Sequence, residues 1–143
     1  MEKRNLTLLT DLYELTMMNG YYLKGKTDEV AIFDVFFRRN ELITYSLAAG
    51  LEQVVDYVLS LKFGDEEIEY LDSLGIFDKN FLEYLRKLKF TGDIYSVPEG
   101  TVVFPGEPIL TVKAPVIEAQ LIETAILNMI NHQTLIATKS AKI

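Results

Sequence analysis

The chain has 143 residues, enough for one domain whose core needs no disulfide or metal staples. Its 14 basic residues against 21 acidic ones leave a net charge of −7, which excludes a broad nucleic-acid-binding or anionic-membrane surface. With no cysteine and one histidine, His132, it can build neither a disulfide framework, nor a cysteine or multi-histidine metal centre, nor a cysteine–histidine catalytic pair.

The first organised stretch is Thr10-Asp11-Leu12-Tyr13-Glu14-Leu15-Thr16-Met17-Met18. Asp11 is placed to cap a helix, with Glu14 three residues on as its capping-box partner. Leu12, Leu15, Met18 and Tyr22 share one face at helical spacing, the face expected in the core. Tyr13, Met17 and Tyr21 form a second apolar face that this core does not need. Tyr13 then either packs against a neighbouring element or stacks on a flat ligand whose polar edge Asp11 holds. The N-terminus is charged and is followed by no apolar run, so a secretory signal is not expected, and the absence of cysteine is compatible with the cytoplasm.

Gly20 and Lys24-Gly25-Lys26 are expected to form the turn after this helix. Residues 29–37 are β-branched and aromatic, and their texture predicts a strand buried on both sides. It ends at Arg38-Arg39-Asn40, where the two arginines are either surface charge or planar groups suited to bidentate phosphate contact. Residues 46–62 predict an amphipathic helix with Leu47, Leu51, Val54, Val55, Val58 and Leu61 inward. Gly50 within it points to close packing against another backbone. A short acidic helix follows over 65–73, stopped by Gly75, and Asp78 caps the next, with Phe81, Leu82, Leu85 and Leu88 inward. No catalytic signal stands out in this middle third.

From Thr91 the texture changes to strands over 94–97, 101–104 and 109–113, separated by Pro-Glu-Gly and Pro-Gly-Glu-Pro turns. With residues 29–37 these predict an α+β fold: one four-stranded, mostly antiparallel sheet packed with helices. Pro115 opens a last helix from about Val116 to beyond Ala137, in which Glu123, Asn128, Asn131, His132 and Gln133 interrupt the apolar run. That many polar groups exclude a membrane span. Buried polar residues must find partners, so His132 is expected to be a hydrogen-bonded structural histidine. Residues 137–143 carry no stop signal, and the chain is expected to end inside a helix or at a domain junction.

Several of these stretches resemble nicotinate phosphoribosyltransferases: Leu9 to Met17, Phe33-Asp34-Val35-Phe36-Phe37-Arg38, Ala48-Ala49-Gly50-Leu51-Glu52, Phe90-Thr91-Gly92-Asp93-Ile94-Tyr95, the turns at 97–100 and 104–108, and Ile117 to Thr124 continuing through Asn131 to Lys139. The resemblance runs along nearly the whole chain in order. Family members are several times longer, so it implies an N-terminal α+β domain over residues 1–138, with 139–143 starting an α/β barrel that is otherwise absent. The implied activity joins nicotinate to 5-phosphoribosyl 1-diphosphate, forming nicotinate mononucleotide in NAD salvage, with ATP hydrolysis and Mg²⁺.

Carried over residue by residue, the resemblance implies that Tyr13 stacks on the pyridine ring with Asp11 beside it. Arg38 would reach phosphate across a homodimer interface with shared active sites, and Thr138 and Lys142 would approach the anionic groups of the ligand. It places no catalytic residue and no metal ligand in this chain: the phosphorylated histidine belongs to the barrel, and His132 does not match it. Lysine at 142, where many members have arginine, offers a point charge without the bidentate fork. Alternatives are a non-catalytic interaction or dimerisation module of the same fold, or a relative specific for nicotinamide or quinolinate.

Overall fold

The computed structural model describes residues 4–37 and 44–141. Within them the chain order is α1 (Leu12–Leu23), β1 (Val30–Val35), β2 (Ser46–Leu47), α2 (Leu51–Ser60), α3 (Asp65–Ser73), α4 (Lys79–Lys87), β3 (Asp93–Ser96), β4 (Val102–Val103), β5 (Leu110–Pro115) and α5 (Val116–Ser140). β5 is the centre of a three-stranded antiparallel sheet in the order β1-β5-β3, and β2 pairs with β4 in a separate antiparallel ribbon. The fold is α+β as expected, but the expected single four-stranded sheet is divided: the strand near 101–104 shortens to Val102–Val103 and leaves the main sheet for Ser46–Leu47.

α5 is the axis of the domain. Its residues Ile117, Ala119, Leu121, Ile122, Ala125, Ile126 and Ile130 are all nearly or fully buried, packed under the inner face of the sheet and against α1 and α2. The 25-residue helix passes without a break through residues 138 and 139. No helix among the described residues is long and apolar enough to cross a membrane.

β1 departs from expectation. It lies at the sheet edge, and only one face, with Ala31, Phe33 and Val35, turns toward α5. On the other face Ile32 is 63% exposed, with Val30 and Phe36 also in the open. The run is apolar apart from Glu29 and Asp34, and among the described residues nothing covers its second face.

The helix expected from residue 46 starts only at Leu51, because the preceding N–H groups are claimed by side chains from elsewhere. Leu47 N–H donates to Thr138 Oγ1 (2.9 Å) and Ala49 N–H to Thr134 Oγ1 (3.1 Å), two threonines one turn apart on α5. Gly50 N–H and Leu51 N–H both donate to Glu99 Oε1 (2.9 and 2.6 Å), so a carboxylate distant in sequence caps α2. Gly50 does pack tightly against another backbone: a Cβ there would sit 3.0 Å from the Met129 carbonyl oxygen, at a φ of 109°. Gly20, expected in a turn, is inside α1, whose turn is made at Lys24–Gly25.

Candidate functional site

The start of α1 and the middle of α5 meet in a corner organised by Glu14. This carboxylate is 0% exposed. Glu14 Oε2 accepts from the Thr10 hydroxyl and from Asp11 N–H (3.0 Å). Glu14 Oε1 accepts from Thr124 N–H (3.1 Å) and Thr124 Oγ1–H (2.9 Å). A buried carboxylate needs several donors to replace lost hydration, and here it has four. Half of the capping box expected at Asp11 and Glu14 is present: Glu14 accepts from Asp11 N–H, while the Asp11 side chain makes no cap bond and meets Thr124 instead. Glu14 extends the link across to another helix.

The apolar face expected for α1 is only half realised. Leu15 and Met18 are buried, but Leu12 is exposed and Glu14 takes a core position instead. Hydrophobic periodicity could not place Glu14 inside, because its burial depends on donors from Thr124, far away in sequence.

Around this anchor lie the two residues singled out from the sequence. Asp11 Oδ2 is 3.2 Å from Thr124 Oγ1. Tyr13 is 50% exposed and forms, with Leu9, Leu12 and Met17, an open apolar strip at the mouth of the helix. Desolvation, then the charges of Glu123, Glu14 and Asp11, raise the Tyr13 phenol above its ordinary value, opposed in part by hydrogen bonding to Thr124. The phenol is therefore neutral at physiological pH. Glu123 is also raised, chiefly by desolvation and then by the charge of Glu14, against the Gln120 Nε2–H bond to its Oε2 (2.9 Å). None of the ion pairs among the described residues reaches these three carboxylates.

Glu123 also borders a groove of about 350 Å³ between β1 and α5, whose apolar wall includes Ile32, Phe33, Phe36 and Ile126. The corner thus offers an exposed aromatic face, a positioned carboxylate and a negative field. That suits a flat ring bearing positive charge or polar hydrogens on the edge facing Asp11, and disfavours an anionic substituent pointing the same way.

Of the other expected ligand residues, Thr138 is not gathered here. Thr138 is buried at the far end of α5, about 20 Å from Thr124 at the usual helical rise. Its hydroxyl donates to Thr134 O (2.6 Å) while accepting from Leu47 N–H, so in this structure it ties β2 to α5. Arg38 and Lys142 lie outside the described residues. His132, expected to be buried and bonded, is exposed on α5. Among the described residues no group of three or more His, Cys, Asp or Glu side chains could hold a metal ion.

Sequence reasoning missed Thr124 and the buried role of Glu14. The signal was present: Glu123-Thr124 are polar residues inside an apolar helix, and such residues need partners.

An open-faced antiparallel sheet packed on one long helix defines the class. The same fold recurs in nicotinate-nucleotide pyrophosphorylase from Pyrococcus furiosus, with a TM-score of 0.63 at 17% identity over 91% of this chain and 27% of that one. Residues 8–131 match the model of the nicotinate phosphoribosyltransferase (NAPRTase) N-terminal domain, and the chain belongs to that family. It is 50% identical over 141 residues to nicotinate phosphoribosyltransferase of Bacillus subtilis, covering 97% of this chain and 29% of the relative. To a nicotinate phosphoribosyltransferase of Mycobacterium tuberculosis it is 43% identical over 137 residues, covering 95% and 29%. The crystal structure of human nicotinic acid phosphoribosyltransferase superposes with a TM-score of 0.85 at 36% identity, over 93% of this chain and 27% of that one. The chain therefore spans under a third of the length of these relatives.

Proposed function

We propose that the chain is the substrate-capping, N-terminal portion of an enzyme that forms nicotinate mononucleotide from nicotinate and 5-phosphoribosyl 1-diphosphate in NAD salvage. The observation that carries this is the pairing of the family match with a half-exposed Tyr13 held beside Asp11 at the start of α1. In the reaction the pyridine nitrogen forms a bond to the ribose C1 while the C1–O bond breaks, and diphosphate leaves with the electron pair. The ring becomes a pyridinium cation. A Tyr13 face and the negative field of Asp11, Glu14 and Glu123 favour that positive charge, and the nicotinate carboxylate is then best turned away from them.

Arg38, Thr138 and Lys142 stand in this proposal as the family's phosphate-side positions, with Thr138 acting through its hold on β2. The exposed Leu9–Met17 strip and the bare face of β1 suit a homodimer in which this domain caps the barrel of the partner. ATP hydrolysis and Mg²⁺ belong to the proposal for the whole enzyme. The described residues do not form a metal site, and no step is assigned to either on this chain.

Two experiments test the proposal. The 143-residue chain alone, given nicotinate, 5-phosphoribosyl 1-diphosphate, ATP and Mg²⁺, is expected to form no nicotinate mononucleotide, and measurable turnover would refute the capping role. In the product of the whole reading frame, Tyr13→Ala is expected to raise the KM for nicotinate while leaving the melting temperature near that of the parent. A variant that melts early yet keeps its KM would make Tyr13 a packing residue only.

A further inference from the structure

We propose that Glu14, acting through Thr124, is the positioning residue that fixes Asp11 and Tyr13 for the pyridine ring. This inference rests on the function proposed above. Helix starts fray, and an exposed aromatic on the first turn has no fixed place unless the turn is tied down. Glu14 ties it twice. One carboxylate oxygen holds the Thr10 hydroxyl and Asp11 N–H, which sets the backbone entering α1. The other holds both the N–H and the hydroxyl of Thr124, which locks that turn to α5.

The Thr124 hydroxyl has one hydrogen and two carboxylates within reach, Glu14 Oε1 at 2.9 Å and Asp11 Oδ2 at 3.2 Å. Two acidic oxygens converge on one proton, so the Thr124 hydroxyl is the group that joins the Asp11 carboxylate to the buried Glu14. Glu14 itself is fully buried and touches no solvent. It can reach the pyridine only through the residues it holds.

The arrangement predicts which substitutions matter. All four groups facing Glu14 can donate, and two of them are backbone N–H groups that cannot reverse. A glutamine at 14 would set its own NH₂ against one of those N–H groups. Because Glu14→Gln also weakens the fold by that clash, Thr124→Val is the primary variant: it keeps shape and the N–H, and removes only the hydroxyl.

The test compares variants in the product of the whole reading frame. Thr124→Val is expected to raise the KM for nicotinate about tenfold, the worth of one well-placed hydrogen bond, with the KM for 5-phosphoribosyl 1-diphosphate unchanged. Thr124→Ser, which restores the hydroxyl, is expected to return the nicotinate KM to that of the parent. Ile68→Val, a buried substitution in α3 away from the corner, serves as the control for a small loss of stability. If Thr124→Val matches Ile68→Val in both KM values, the positioning role is overturned while the capping function stands, provided Tyr13→Ala raises the nicotinate KM. If Tyr13→Ala leaves that KM unchanged, the capping function fails and the positioning role fails with it.

Discussion

Gly92→Ala gives the most direct test of the packing that carries the site. Gly92 precedes β3, and a Cβ added there would lie 2.4 Å from the Ala114 Cβ, 2.6 Å from the Lys113 oxygen and 2.8 Å from the Ala114 Cα. Carbon pairs rest at about 3.5–4.0 Å, so β3 must move off β5 by roughly 1 Å. Overpacking of this kind costs about 1–3 kcal/mol. The same movement pulls on Thr91, whose N–H (2.6 Å) and hydroxyl (2.9 Å) donate to the buried Glu118 carboxylate. Weakening a hydrogen bond to a charged group adds about 1.5 kcal/mol. The net loss is about 3 kcal/mol, after subtracting about 0.5 kcal/mol for the reduced freedom of the unfolded chain.

For a chain of this length the unfolding entropy is about 0.3 kcal/mol/K, so the melting temperature should fall by about 10 °C. Gly20→Ala supplies the opposite control: nothing lies within 4 Å of its added Cβ, and its site is helical. It should gain about 0.5–1 kcal/mol and melt higher. Thermal melts followed by far-ultraviolet circular dichroism read both. A Gly92→Ala melting temperature within about 2 °C of the parent would refute the argument, because β3 would then be free to leave β5 at little cost.

Tyr57 is buried with a hydroxyl that has no hydrogen-bond partner among the described residues, and burial, then the charge of Glu14, pushes its phenol well up. Tyr57→Phe should therefore raise stability in urea by about 1 kcal/mol, and a loss of that size would show that the hydroxyl is satisfied after all. Glu99→Ala removes the cap from the first turn of α2 and should cost about 1–2 kcal/mol, checked by the same denaturation; an unchanged midpoint would mean that water replaces it fully. Glu123 has a raised folded pKa, so its contribution is present below the unfolded value near 4.5 and is lost as pH rises through the folded value. Glu123→Gln should accordingly melt higher than the parent at pH 7 and together with it at pH 4; equal melting at pH 7 would refute the charge crowding.

The local elements were largely legible, because caps and apolar spacing act over a few residues. Asp78 accepts from Asn80 N–H and Phe81 N–H as its position before α4 implied, and Phe81, Leu82, Leu85 and Leu88 all point inward. What escaped was set by partners distant in the chain. Ser46–Leu47 carries the spacing of a helix start, yet Thr138, Thr134 and Glu99 take the N–H groups of 47, 49, 50 and 51, the Thr101 carbonyl takes that of Ala48, and the segment stays extended. Glu14 was legible as a capping-box residue but not as the buried link between α1 and α5, since its second oxygen is occupied by Thr124. Asp11 and Tyr13 both stand at the start of α1, a position that the capping pattern of the sequence shows.

The failed expectation for β1 says more than several that held. Val30, Ile32 and Phe36 have the composition of a strand covered on both faces, and across β5 the same open face carries Tyr95 on β3, also exposed. Leu9, Leu12, Tyr13 and Met17 repeat the pattern at the mouth of α1. Side chains of this kind are seldom left to water in contiguous patches unless another surface meets them. Glu14 explains why the second patch can wait in a defined geometry: it supplies from inside the domain the order that a partner would otherwise have to impose. In the proposed function, a Tyr13 face held in place before a ring meets it lowers the ordering cost of capping.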